Sequence, residues 1–375
     1  MTANNPLGSS FRVPFTDTRD YNQGFAEGFA EDLQSVLQSG RYILGDQVAA
    51  FEKKLAEAVG ANHAVAVSSG TAALELAFRA LNLAPTDEII VPANAYIASI
   101  FGAMASGARI VPVDCELDGT LDLDEVASHV THRTKAVLVV HLYGDSCNMA
   151  ELAEFCRDRG IILIEDCAQS FGTSYAGRQH GSFGDMACFS FYPTKNLGAL
   201  GDAGAITTNR AGYAAACRQM RNLGSTVKYI HDIQGTNARM DTLQAAFLLR
   251  KFDDMPRVIN EKRTIAAQYT QDLGVYHIRN KDPRVRHSYH LYVLAAKGRE
   301  KICKALAAKG IETILHYPIP FYKSPAFHWL NHLSFPNTEM LAKTVFSIPI
   351  YASLTQKDID HVIQSVLDEA PHSSL

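Results

Sequence analysis

The stretch DMACFSFYPTKNLGALGDAGA, residues 185–205, decides how the rest of the chain is read. An apolar run from Met186 to Tyr192 ends at Pro193, which cannot continue a strand ladder. A single amine, Lys195, follows, and glycines recur at Gly198, Gly201 and Gly204. A second apolar run then begins at Ala205. The pattern reads as strand, tight loop, strand, with one lysine held in the loop. An amine fixed at a strand end can attack a carbonyl and form a Schiff base. A loop lysine is ordinarily a solvated surface residue, so the neighbouring sequence has to justify the chemical reading.

Upstream, short apolar runs alternate with amphipathic helical patterns. Runs starting at His63, Glu88, Arg109, Lys135 and Ile161 read as strands, separated by helices over 71–81, 95–105, 123–130 and 149–159. Val48, Phe51, Leu55 and Val59 give a further helix, over 46–59, an apolar face. Such alternation predicts an α/β fold with a mostly parallel sheet covered by helices on both faces. In sheets of this kind ligands bind beyond the carboxyl ends of the strands. Gly70-Thr71, Asp166 and Lys195 all belong to turns at such ends. Past Asp241 a long helical pattern meets Pro256, which should break or kink it. The expected division is a large domain over 1–250, its first 20 residues a loose arm, and a smaller C-terminal α+β domain over 251–375.

Charged residues make up 20% of the 375-residue chain and the net charge is −4. Neither a nucleic-acid-binding field nor a membrane-surface patch is indicated. No stretch of about 18 apolar residues could span a bilayer, and the N-terminal residues lack the pattern of a signal peptide. The seven cysteines form no CxxC pair, which fits a reducing, cytoplasmic setting rather than a disulfide framework.

Asp166 closes the run IILIED, 29 residues before Lys195. A carboxylate there can cap the next turn, or it can keep a ring nitrogen protonated. A pyridoxal phosphate site needs that pair: a lysine for the aldehyde and an acid for the pyridine nitrogen. Ser68-Ser69-Gly70-Thr71 opens a helix, where free amides and the helix dipole favour a phosphate. Ser190 could add a hydroxyl to the same group, Tyr96 could lie over the ring, and Gln169 could reach the ring's hydroxyl. GxxGxxG at 198–204 is neither a dinucleotide fingerprint nor a P-loop. The pair His328 and His332 lacks the glutamate of a zinc protease helix, and no metal site is expected.

With these residues together, the chain resembles the DegT/DnrJ/EryC1/StrS family of nucleotide-sugar aminotransferases, from about Gly45 to Gln268 and more weakly beyond. The carrying motifs are SSGTAALELAFRAL, DEIIVPANAYIAS, KAVLVVHLYG, the run IEDCAQSFGTSYAGRQHGSFGDMACFSFYPTKNLGALGDAGAI, and NARMDTLQAAFL. The resemblance implies a fold-type I pyridoxal-phosphate enzyme active as a homodimer. It makes Lys195 the cofactor-bonding and proton-shuttling lysine and Asp166 the partner of the pyridine nitrogen. Gly70, Thr71 and Ser190 would hold the phosphate, Tyr96 would stack on the ring, Gln169 would contact its hydroxyl, and Asn237 would complete the phosphate site of the neighbouring subunit. Tyr96 stands where Phe is usual and Cys167 where Ala is usual. Related sugar dehydratases carry His at the position of Lys195.

The expected reaction is a ping-pong exchange. Glutamate gives its amino group to the cofactor, leaving pyridoxamine phosphate, which aminates a nucleotide-linked keto-sugar. KNLGALGDAGA together with Leu315-His316-Tyr317-Pro318-Ile319-Pro320 resembles the dTDP-3-keto-6-deoxyhexose 3-aminotransferases of deoxyamino-sugar biosynthesis, placing His316 and Tyr317 near the sugar. A UDP-linked 3-keto sugar is the alternative within the family. A pyridoxamine-dependent dehydratase and a non-catalytic binding homologue are the alternatives outside this activity.

Overall fold

The computed structural model describes residues 11–370. Seven strands form the main sheet: β1 (His63–Val67), β2 (Glu88–Pro92), β3 (Arg109–Val113), β4 (Thr134–Val140), β5 (Ile162–Asp166), β6 (Met186–Ser190) and β7 (Gly204–Thr208). Their order across the sheet is β1-β7-β6-β5-β4-β2-β3. All neighbours are parallel except β7, which runs antiparallel to both β1 and β6.

The sheet is buried on both faces, and the alternation along each strand shows how. In β1, Val65 and Val67 face one apolar cluster while Ala64 and Ala66 face another. In β4, Ala136 and Leu138 join the first cluster, and Val137 and Val139 a third. The helix Asp46–Val59 buries Val48, Phe51, Leu55 and Val59, the face its spacing predicted. Helices Gly70–Arg79 and Ile97–Met104 pack so closely that a Cβ on Gly102 would lie 2.4 Å from Leu74 Cβ.

Register sets the working edge. Val140 pairs with Asp166, Asp166 with Cys188, Ser190 with Gly204, and Gly204 with Val67. Because β7 is reversed, its first residue lies at the same edge as the last residues of its neighbours. The turn after β1, the carboxylate ending β5 and the loop joining β6 to β7 therefore meet.

The C-terminal part is built on an antiparallel pair, β8 (Tyr292–Ala295) with β9 (Val345–Ile348), and the helices Met255–Leu273, Arg299–Ala308 and Gln356–Glu369. Tyr292, Leu294, Phe346 and Ile348 pack with those helices. Val293, Ala295 and Val345 face the large sheet's core instead. The helical pattern after Asp241 is broken: one helix ends at Phe252, the next begins at Met255, and Pro256 sits in its first turn, where no intrahelical donor is needed. The polar segment 224–239 contains a small strand pair, Ser225–Val227 with Ile230–His231.

A loose arm over 1–20 is not what residues 11–20 form; residues 1–10 lie outside the described residues. Val13 is buried and bridges Ile311. Its N–H donates to Gly310 O at 2.9 Å, and its carbonyl accepts from Glu312 N at 3.0 Å. The Phe15 N–H donates to the Glu312 carboxylate at 2.9 Å. These backbone groups find partners on the C-terminal part, and burial of Val13 supplies the apolar contact. Six cysteines are buried and Cys303 is half-buried, all as free thiols. Among the described residues no helix is long and apolar enough to cross a membrane.

Candidate active site

A cavity of about 570 Å³ opens at the working edge, between the sheet and the C-terminal part. Gly70, Thr71, Tyr96, Asp166, Gln169, Ser190, Lys195, His316 and Tyr317 all line it. Asn237 does not: it is exposed and accepts from Arg239 Nε at 3.0 Å.

The loop carrying Lys195 is pinned by its own backbone. The Lys195 N–H donates to Tyr192 O, and the Ala199 N–H to Phe191 O, both at 2.8 Å. Gly198 is required, since a Cβ there would lie 2.3 Å from Pro193 O. The Leu200 N–H reaches Gln244 Oε1 at 2.9 Å. No hydrogen bond or ion pair to another described residue holds the Lys195 amine itself. Burial pulls its pKa down to about 8, against the opposing pull of Asp166. Near neutral pH a far larger share of this amine is neutral than for a solvated lysine, and that unengaged neutral form can act as nucleophile and base.

Asp166 is buried and held from two sides. Ser99 Oγ donates to its Oδ2 at 2.6 Å, and the Ala168 N–H to its Oδ1 at 3.0 Å. The preceding residue, Glu165, points to the opposite face of the strand. Its carboxylate accepts from His141 Nε2 and from the N–H groups of Gly181, Phe183 and Gly184. Burial alone would raise its pKa, but these donors hold it below the usual carboxylate range. The strand end that aims Asp166 is thus tied to the segment leading into β6.

Ser69 caps the helix Gly70–Arg79, its Oγ accepting from Ala72 N at 3.1 Å. A Cβ on Gly70 would stand 2.6 Å from Ser190 Cβ, and one on Gly204 would stand 2.3 Å from Ser69 C and O. The missing side chains let three backbone segments converge beside a helix start and a serine, a cradle suited to a phosphate. Together with the acidified amine and the buried carboxylate, these residues fit pyridoxal phosphate.

The remaining wall is aromatic. Tyr96 stacks on Tyr317 with ring centroids 5.0 Å apart. Gln169 Nε2 donates to Tyr317 OH at 3.0 Å, while its Oε1 accepts from Tyr143 N at 2.6 Å. Tyr143 OH donates to His316 O at 2.7 Å. His316 Nδ1 lies 2.9 Å from Ser347 Oγ, and burial, aided by Lys195, lowers the imidazole to about 4. Sequence reading missed Ser99, Tyr143, Lys251 and Lys262, and it missed the wall made by Phe15, Asp17 and Thr18 with Tyr351 and Ser353.

A doubly covered sheet with a lysine loop, a buried strand-end carboxylate and a phosphate cradle at one edge is the architecture of the pyridoxal-phosphate-dependent sugar aminotransferases. The chain belongs to the DegT/DnrJ/EryC1/StrS aminotransferase family, whose sequence model matches residues 25–367. It is 40% identical over 358 residues to the dTDP-3-amino-3,6-dideoxy-alpha-D-galactopyranose transaminase of Aneurinibacillus thermoaerophilus, covering 94% of this chain and 98% of that one. It is 39% identical over 367 residues to the dTDP-3-amino-3,4,6-trideoxy-alpha-D-glucose transaminase of Streptomyces venezuelae, covering 96% of each. The crystal structure of S. venezuelae DesV in complex with a ketimine intermediate superposes with a TM-score of 0.93 at 38% identity, covering 97% of this chain and all of that one.

Proposed function

We infer that the protein transfers an amino group from glutamate to a nucleotide-linked keto-sugar, the acceptor being C3 of a dTDP-3-keto-6-deoxyhexose. The observation that carries the transamination reading is the Lys195 amine, unengaged and acidified to about 8 at the edge shared with Asp166 and the Gly70 cradle. The names of the two relatives support the sugar and the position aminated.

When bound, pyridoxal phosphate supplies the carbonyl that takes up the amino group and a ring that withdraws electrons from the carbon being deprotonated. This chain's residues do the rest. Gly70, Thr71 and Ser190 hold the phosphate. Asp166 keeps a proton on the ring nitrogen, with Ser99 keeping Asp166 in place. Tyr96 covers the ring, and Gln169 contacts its hydroxyl. In the first half-reaction Lys195 Nζ takes a proton from the donor carbon; in the second, after the donor has left, it delivers a proton to the sugar carbon. His316, neutral and held by Ser347, and Tyr317 face the sugar.

The active unit is a homodimer in the cytoplasm, Asn237 reaching the partner's phosphate site. Tyr42, Ile43 and Leu200 support the dimer: they are 54%, 44% and 48% exposed around the start of the helix Thr242–Phe252. The free, mostly buried thiols support the reducing compartment. A monomer in sedimentation velocity would remove the second subunit from this reading.

The test is a visible absorbance titration with pyridoxal phosphate, then glutamate, then a panel of keto-sugar nucleotides. A lysine-bound band should form, glutamate should bleach it, and the dTDP-linked 3-keto sugar should restore it. Capture of the cofactor needs the neutral amine. Its rate should therefore rise with pH through a midpoint near 8 and level off about one unit above it, since the folded-state amine loses its proton there. A rate still climbing towards pH 10, as for a solvated lysine, would count against an activated Lys195, and no band at all would end the transaminase reading.

A further inference from the structure

Two more lysines line the cavity, and neither has a carboxylate partner among the described residues. Lys251 is 1% exposed and Lys262 is 5% exposed. Buried lysines are rare unless paired with an acid, because desolvating the ammonium is costly. Burial lowers Lys251 to about 8 and Lys262 to about 7. Their amines share one feature: each donates into the loop that carries Lys195.

Lys251 Nζ donates to Gly198 O at 2.8 Å and to Asn22 Oδ1 at 3.0 Å. Lys262 Nζ donates to Asn196 Oδ1 at 2.8 Å and to His290 O at 3.3 Å. Asn196, next to Lys195 and itself buried, spends its amide hydrogens on Phe171 O at 3.3 Å and Ser288 O at 3.5 Å. The residues flanking the reactive amine are therefore gripped by two consecutive helices. Lys262 also ties the loop, through His290, to the segment leading into β8.

We propose that Lys262, with Lys251 as the second grip, is a positioning residue for the transamination: through Asn196 it fixes the backbone from which Lys195 reaches its proton. Either protonation state of the amine can make this contact, since both retain N–H donors. Without it, Asn196 Oδ1 becomes a buried acceptor lacking its partner, and that side chain is free to turn. Displacing a catalytic group by about 1 Å can cost on the order of a hundredfold in rate.

The proposal rests on the transaminase reading, and its test separates the two. Lys262→Met keeps the length of the stem and removes the donor. In the cofactor-loaded variant, kcat for glutamate half-transamination should fall by about 10- to 100-fold, with the KM for glutamate within about twofold of the parent. The visible circular dichroism of the bound cofactor should change, and Lys262→Arg, which can still donate, should recover most of the rate. The clamp is refuted if kcat per bound cofactor and the dichroism match the parent. It is also refuted if rate is lost only in proportion to lost cofactor or folded protein. A parent protein that forms no lysine-bound band refutes the transaminase reading, and the clamp with it.

Discussion

Lys195→Ala should abolish the visible band of the lysine-bound cofactor and lower turnover with glutamate and a keto-sugar nucleotide by at least about 10³-fold, within the range that a positioned proton-transfer group supplies. The structure explains why no other residue should substitute. Lys251 and Lys262 line the same cavity, but their amines are committed to Gly198 O and Asn196 Oδ1. His316 is neutral at working pH, and its Nδ1 is engaged with Ser347. Borohydride reduction of the loaded parent, followed by peptide mapping, should place the modified lysine at 195. A variant that turns over within tenfold of the parent would show that the proton moves through another group.

Asp166→Asn should be nearly silent in the fold and severe in the chemistry. The amide can accept from Ala168 N and donate to Ser99 Oγ, so both contacts that hold the side chain have replacements. What it loses is the negative charge proposed to keep a proton on the ring nitrogen. A loss of about 10²- to 10³-fold in kcat is expected, the scale on which a preorganised charge-stabilising group acts. Thermal stability and cofactor content should stay near those of the parent. Stopped-flow absorbance of the glutamate half-reaction reads this directly, and a rate within threefold of the parent would remove Asp166 from the chemistry.

The residues legible in the sequence are those whose roles follow from local pattern. Lys195 was exposed by Pro193 and the glycine spacing around it, Asp166 by its place at the end of an apolar run, and Gly70 by the small-residue turn opening a helix. The parallel sheet was equally readable, because runs such as IILIE are too short and too uniformly apolar for a surface helix. What local pattern does not mark depends on contacts distant in sequence. Ser99 reaches Asp166 from a helix 67 positions upstream, and nothing in YIASIF marks that serine over any other. Lys251 and Lys262 look like ordinary charged positions on amphipathic helices; only packing reveals that they point inward. Residues 11–20 read as a loose polar arm, although Val13 and Phe15, spaced by two, carry the one local hint of an extended segment.

The reversed strand β7 also governs when the enzyme can become one. On the ribosome, β2 to β5 can pair in parallel as they emerge, but β1 has no sheet neighbour except β7. The phosphate turn after Val67 must wait until Gly204 to Thr208 has been made. At about 5–20 residues per second that delay is on the order of ten seconds. The same residues close the lysine loop, so phosphate cradle and reactive amine mature in one event. Before that event the Asp166 side of the pocket stands without its phosphate turn and lysine loop, so retention of the vitamin should mark a completed sheet.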